Sequence, residues 1–339
     1  MATFRKLNLP LHVQVLTVAL GVSCLSAVAT PAQTPAPQLH SPLTCRTGRC
    51  VIQQYFDHDA GPAARDHRCG AKAYNGHDGT DFRVPTRAAM LNGVSVHAVT
   101  AGVVRNVRDG VPDHAGTEAD LRAAKGRECG NGVVLAHSGG WETQYCHLKR
   151  GSIAVSPGQR ITAGVKLGEV GQSGEAAFPH LHLGVREGGR EVDPFAYGAK
   201  PLSCGAGGRS LWSLTAAAEL AYRAPEILNS GFAANRVSPE AVENAATGPA
   251  PTASSPMLVA WIRVIGLETG DVQTLSLTGP GGFTAENITS PLERPRAQQV
   301  LYTGRPLRAA RWSSGDYRAR YTVRRTGRVV LEHTFKLRM

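Results

Sequence analysis

Two histidines separated by a single residue, His180 and His182, constrain the fold of this chain more than any other feature. The apolar residues that follow, Leu183-Gly184-Val185, indicate that the pair begins a β-strand. Because side chains alternate between the two faces of a strand, both imidazoles point to the same side. The chain therefore has to present one sheet face to a shared polar centre, and this geometry suits a metal ion.

A second group of polar residues lies upstream, in the segment Gly76-His77-Asp78-Gly79-Thr80-Asp81-Phe82. Its glycines let the backbone turn sharply, and its His-x-x-x-Asp spacing offers one nitrogen and one carboxylate oxygen. With a nitrogen from the His-x-His strand, two nitrogens and one oxygen would face the same ion. Zinc accepts that set of ligands, and a catalytic zinc keeps its fourth position for water.

A third strand-like run, Trp141-Glu142-Thr143-Gln144-Tyr145-Cys146-His147-Leu148, lies between the first two groups in the sequence. With all three blocks present in this order, the chain resembles the lysostaphin-type M23 family of zinc metallopeptidases of peptidoglycan. The resemblance covers residues 45–200, just under half of the chain. It implies a compact antiparallel β domain with the site at the strand ends.

The resemblance also implies a role for each site residue. It makes His77, Asp81 and His182 the ligands of one Zn²⁺ ion, and it makes His147 and His180 an unligated catalytic pair. A hydrolase needs a group beside the metal that takes a proton from water, and a neutral imidazole does so near pH 7. Which of the two histidines is the general base stays open at this point.

The predicted fold is mostly β, with a compact antiparallel β catalytic domain of the M23 type followed by a small β-sandwich-like domain. Residues 201–256 are predicted to be a linker, with a short helix in its alanine-rich part at 213–223. The accessory domain is predicted at residues 257–339, with strands at 257–265, 272–278, 297–302, 317–323 and 329–337.

The first residues predict export. Residues 1–29 combine Arg5 and Lys6 with a mostly apolar stretch and a small-residue cleavage site, Ala27-Val28-Ala29, as a signal peptide does. A lipoprotein attached through Cys24 is the less favoured alternative, because Gly21 stands where a leucine-like residue is usual. Residues 30–44 are predicted to be a flexible tether. The mature chain has no apolar run long enough to span a membrane, so we expect a periplasmic or extracellular protein.

Cysteine usage agrees with an oxidising compartment. Six cysteines remain after removal of the signal peptide, which allows up to three disulfides. Cys45 and Cys50 are close enough to pair locally, whereas three pairings remain open for the other four, namely Cys69, Cys129, Cys146 and Cys204. A cysteine peptidase with Cys146 as nucleophile and His147 as base is disfavoured, because adjacent strand residues point to opposite faces.

The formal net charge of +11 falls to +9 without Arg5 and Lys6. Such a basic protein attracts polyanions, and the candidates outside the cytoplasm are anionic cell-wall polymers and anionic lipid surfaces. Nucleic acid is not expected as a partner, because no nucleic-acid-binding module is recognised. A polar stretch at 109–129 interrupts the β pattern, and we expect this loop to lie beside the substrate.

The sequence therefore predicts an exported zinc endopeptidase, and the resemblance gives peptidoglycan stem or cross-link peptides as its substrate. The alternative is a non-catalytic M23-like protein that binds the wall or activates another hydrolase. All five expected site positions are retained, which argues against that alternative. The chain contains no His-Glu-x-x-His segment, so a helix-based zinc peptidase with a glutamate base is disfavoured.

Overall fold

The computed structural model describes residues 35–44, 51–200, 203–204 and 206–339. The signal peptide, Cys24, Cys45 and Cys50 lie outside these ranges, so the inferences on cleavage and on local pairing stay predictions. Across the described ranges, every helix is too short or too polar to cross a bilayer.

Strands dominate the described residues, and the helices are short. The four α-helices are α1 Arg87–Leu91, α2 Glu118–Ala123, α3 Leu214–Glu219 and α4 Pro239–Glu243. The strands are β1 Val51–Gln54, β2 Thr80–Arg83, β3 Ser95–His97, β4 Gly102–Arg108, β5 Asn131–Ala136, β6 Trp141–Leu148, β7 Arg160–Ile161, β8 Lys166–Glu169, β9 His180–Glu187, β10 Arg190–Glu191, β11 Glu226–Ala233, β12 Met257–Leu267, β13 Val272–Gly279, β14 Phe283–Ile288, β15 Arg296–Pro306, β16 Asp316–Arg325 and β17 Arg328–Arg338.

One large antiparallel sheet carries four of the five predicted site residues, and His77 lies just before its strand β2. Its strand order is β1-β2-β9-β6-β5-β4-β7, with β10 paired to β9, and a separate ribbon pairs β3 with β8. In β9 the side chains of Leu181, Leu183 and Val185 are fully buried in the core below this sheet. The alternation of strand side chains therefore turns His180 and His182 to the opposite face.

The C-terminal part has a core of its own between two further sheets. One sheet has the order β11-β12-β15, and the other has the order β14-β13-β16-β17. In β16, Tyr317, Ala319, Tyr321 and Val323 are buried while the residues between them face outward. This alternation confirms the predicted β-sandwich-like fold.

The structure adds elements that the sequence patterns did not indicate. Within 201–256 it has the predicted helix, α3, and also the strand β11, which pairs with β12 along most of its length. The strand β14 was not predicted either. The domain boundaries themselves stay a prediction.

Residues 35–44 pack against the fold instead of forming the flexible tether that their composition indicated. Leu39 is fully buried, and its backbone N–H donates to the carbonyl of Leu211 at 2.8 Å. Leu43 is 8% exposed. Burial of these two leucines offsets the conformational entropy that the segment loses on becoming ordered.

Two disulfides are formed among the described cysteines. One joins Cys69 to Cys204, and the other joins Cys129 to Cys146. Of the three pairings that the sequence left open, this is the one that the structure adopts.

Candidate active site

Pairing of β2 with β9 assembles the site. In the antiparallel register Asp81 lies opposite His182, and Arg83 lies opposite His180. Directly opposite residues of neighbouring strands project from the same face, so this pairing brings the aspartate and the two histidines together although a hundred residues of chain separate them.

His77, Asp81 and His182 form a tight triangle of ligand-type atoms. Nε2 of His77 is 3.1 Å from Oδ1 of Asp81 and 3.2 Å from Nδ1 of His182. Nδ1 of His182 is 3.0 Å from Oδ1 of Asp81. Among the described residues this is the one group of three or more potential ligand side chains whose atoms converge on a single point. Two imidazole nitrogens and one carboxylate oxygen suit a zinc ion.

The atoms behind this triangle orient its ligands. Nδ1 of His77 is 2.7 Å from the carbonyl oxygen of Tyr55, so Nδ1–H donates and Nε2 keeps its lone pair for a metal. Nε2 of His182 is 3.3 Å from Oδ1 of Asp78, so Nε2–H donates to this carboxylate and Nδ1 is the nitrogen that would bind a metal ion in place of its own proton. Gly79 is essential to this packing, because a Cβ atom there would lie 2.6 Å from the His182 ring.

The electrostatics of the triangle favour a cation. Burial raises the pKa of Asp81, but the neighbouring imidazoles of His77, His180 and His182 outweigh it, so the pKa lies well below its usual range. Burial lowers the pKa of His182, but hydrogen bonds to Asp78 and Asp81 outweigh it and raise the pKa to about 9. Asp78 and Asp81 thus stabilise positive charge at His182, which favours a bound cation at the same place.

The imidazoles of His147 and His180 lie next to each other beside the triangle, with ring centroids 4.6 Å apart. Nδ1 of His147 is 2.8 Å from the carbonyl of Ser173, and Nδ1 of His180 is 2.8 Å from the carbonyl of Phe178. Burial lowers the pKa of both histidines, and for His147 the neighbouring His180 and His182 lower it further. Both rings are therefore neutral near pH 7.

His147 reaches the site through an irregular backbone. Its φ is +60°, in the left-handed region that only a few per cent of non-glycine residues adopt. Cys146 and His147 consequently line the same groove, so the expectation that they face opposite sides was wrong. Cys146 is nevertheless not a free nucleophile, because its sulfur is bonded to Cys129.

A groove of about 540 Å³ runs over these residues. The segment 109–129 borders it through Leu121 of α2, Glu128 and Cys129, as the sequence predicted for this loop. Tyr74, three residues before His77, also lines the groove. The sequence reasoning missed the other lining residues, which come from several separate segments: Gln54, Asp78, Gln144, Glu175, Ala177, Phe178 and Arg186. Three of them had a signal in the sequence, because Asp78 and Gln144 stand within the quoted blocks and Phe178 stands two residues before His180.

A triangle of metal-ligand atoms beside two neutral imidazoles is the arrangement of a candidate metal-dependent hydrolase. Residues 75–194 match the family model described as Peptidase family M23. This region of the chain, about a third of its length, is therefore similar to peptidase family M23.

Curated relatives match about a third of the chain. Peptidoglycan DD-endopeptidase ShyA of Vibrio cholerae is 32% identical over 117 residues, which are 34% of this chain and 22% of the relative. DD-carboxypeptidase/endopeptidase Mpg of Neisseria meningitidis serogroup B is 31% identical over 119 residues, which are 33% of this chain and 27% of the relative. The chain spans about a quarter of the length of these relatives.

Among solved structures, the chain is similar to a zinc containing peptidase from Vibrio cholerae. The two share 26% sequence identity, with a TM-score of 0.32. The match covers 48% of this chain and 39% of that chain.

Proposed function

We propose that this protein is an exported zinc metalloendopeptidase that hydrolyses peptide bonds in the stem or cross-link peptides of peptidoglycan. The observation that carries the proposal is the convergence of Nε2 of His77, Oδ1 of Asp81 and Nδ1 of His182 within 3.0–3.2 Å of one another. These three atoms would hold the zinc ion. A zinc ion there supplies Lewis-acid polarisation of the scissile carbonyl and acidifies the attacking water.

The proposed catalytic work of the chain itself falls to His147 and His180. Each Nδ1–H donates to a main-chain carbonyl, so each Nε2 carries the lone pair that can accept a proton. Once it is protonated, the same Nε2–H can donate to the developing oxyanion or to the leaving amine. Burial of both rings keeps them neutral at pH 7 and ready for this role.

The substrate class is supported by the likeness to peptidase family M23 and by the relatives, which are named peptidoglycan DD-endopeptidase and DD-carboxypeptidase/endopeptidase. Two disulfides and the signal-like residues 1–29 support export. The net charge of +11 supports attraction to anionic cell-wall polymers. Retention of all five site side chains favours hydrolysis over a role as a wall-binding or hydrolase-activating protein.

The direct test is digestion of purified peptidoglycan by the mature protein, with and without a zinc chelator. We expect new amino termini in the soluble products, loss of their release with chelator, and recovery when zinc is added back. His147→Ala is the matched control, because it leaves the three proposed ligands untouched. Binding to peptidoglycan without release of amino termini would reject the peptidase and favour the binding protein.

A further inference from the structure

The ring of His180 is held in place by Phe178. Nδ1 of His180 donates to the Phe178 carbonyl at 2.8 Å, and the two ring centroids are 4.7 Å apart. The Phe178 ring also contacts Arg83, whose guanidinium carbon lies 3.9 Å from the ring centroid. A guanidinium at this distance stacks on the aromatic face.

Arg83 is itself fixed by residues of the C-terminal part. Its side chain is fully buried, and its Nη2 donates to Oε2 of Glu243 in α4. Arg263 of β12, also fully buried, donates Nη1 to the same carboxylate oxygen at 2.6 Å and Nη2 to the carbonyl of Pro85, just after β2. One carboxylate therefore joins a guanidinium from the large sheet to a guanidinium from the C-terminal sheets.

Burying this cluster costs desolvation free energy that a merely space-filling role would not require. Two buried cations share a single carboxylate, and Nε and Nη1 of Arg83 have no hydrogen-bond partner among the described residues. An apolar side chain of similar volume would avoid the desolvation cost, and replacements of buried ion pairs of this kind are often neutral or stabilising. An apolar side chain, however, would not provide a rigid, planar cation stacked against the Phe178 ring.

We propose that Arg83 is a positioning residue for His180. Glu243 and Arg263 fix its guanidinium, the guanidinium fixes Phe178, and Phe178 fixes the imidazole through its carbonyl and its ring. The C-terminal sheets therefore complete the catalytic site rather than serving as a separate attachment. The inference deepens the proposed peptidase function and rests on it for the kinetic part of the test.

Arg83→Met is the informative variant, because Glu243 keeps Arg263 as its partner and no carboxylate is left unpaired. We expect kcat on a cross-linked muropeptide to fall by about tenfold, KM to stay within about twofold, and bound zinc to stay at one per chain. Arg320→Met is the matched control. It removes an exposed arginine from a pair with Glu332 in the C-terminal sheet, and it should leave all three quantities unchanged.

A readout independent of turnover separates this inference from the proposed function. In zinc-loaded protein carrying ¹⁵N-labelled histidine, the ring signals of His180 should shift or broaden in Arg83→Met and stay in place in Arg320→Met. If the wild-type protein does not cleave peptidoglycan, the peptidase proposal fails while this spectroscopic test still applies. Wild-type kcat together with unchanged His180 signals in Arg83→Met would overturn the positioning role.

Phe178→Leu provides a second route should Arg83→Met not fold, because it leaves the arginine–glutamate–arginine cluster intact. We expect the same change in the His180 signals and a comparable loss of kcat. In the double variant the losses should not add, since both substitutions interrupt one chain of contacts. Unchanged His180 signals in Phe178→Leu, or fully additive losses of kcat, would contradict the proposal.

Discussion

Cys146 and His147 are neighbours in β6, yet both side chains line the groove, because the backbone of His147 has a φ of +60°. Two bonds hold this unusual conformation. The N–H of His147 donates to the carbonyl of Cys129 at 2.8 Å, and the side chain of Cys129 is bonded to Cys146. The disulfide therefore attaches the end of the segment 109–129 to β6 and also helps to fix the position of His147.

Removing this disulfide with Cys129→Ser and Cys146→Ser should lower the free energy of unfolding by about 3 kcal/mol, the value expected for a loop of this length. It should also reduce kcat, because His147 loses its support, while zinc stays bound. Chemical denaturation and metal analysis measure both effects. Cys69→Ser with Cys204→Ser is the control, since its disulfide lies outside the groove; equal losses of kcat in the two double variants would refute the link to His147.

The proposed ligands and the proposed catalytic pair should respond differently to substitution. His182→Ala or Asp81→Ala removes a ligand atom, so we expect most of the bound zinc to be lost together with activity. His147→Ala leaves the triangle intact, so we expect full zinc content and very low turnover. Metal content and release of amino termini, measured on the same preparations, distinguish the two classes. Full zinc in His182→Ala would overturn the assignment.

Gly79 should be necessary for zinc affinity although it offers no ligand. A Cβ atom in Gly79→Ala would lie 2.6 Å from the His182 ring and 2.7 Å from the Leu183 carbonyl, so the ring has to move. We expect zinc affinity to fall by about 10- to 100-fold in a competition titration with a chromophoric chelator. Gly184→Ala, where the nearest atom is 3.7 Å away, should bind zinc as the wild type does. Equal affinity in the two variants would count against the close fit.

Lys72 should make stability depend on pH in alkaline solution. Its side chain is 1% exposed, and burial lowers its pKa from 10.5 to about 8. Between these values the unfolded chain binds more protons than the folded chain, so the free energy of unfolding should rise with pH from about 8 to about 10.5. The gain relative to Lys72→Met should be on the order of 3 kcal/mol, measured by urea denaturation across this range. Parallel pH profiles of the two proteins would show that Lys72 does not titrate as described.

The sequence predicted the parts of the site that depend on local spacing. The His-x-His strand and the His-x-x-x-Asp segment indicated which side chains share a face, and the structure brings His77, Asp81 and His182 together. The alternation in residues 317–323 similarly predicted β16 and the two-layer fold. In these segments, side-chain periodicity and burial point to the same structure.

The sequence did not predict features that depend on tertiary context. The strand β11 has a weak alternation of its own and becomes a strand by pairing with β12. The positive φ of His147 interrupts the side-chain alternation of β6. The sequence gives no sign of this conformation, because the residue is not a glycine. The cluster of Arg83, Glu243 and Arg263 joins three distant segments, so spacing along the chain gives no sign of it.

Anomalous diffraction at the zinc absorption edge, from crystals of the zinc-loaded protein, tests the central claim most directly. The account predicts one strong peak at roughly 2.0–2.2 Å from Nε2 of His77, a carboxylate oxygen of Asp81 and Nδ1 of His182. The imidazoles of His147 and His180 should lie beside the ion without binding it. A zinc peak on other side chains, or none in this triangle at saturating zinc, would contradict the account.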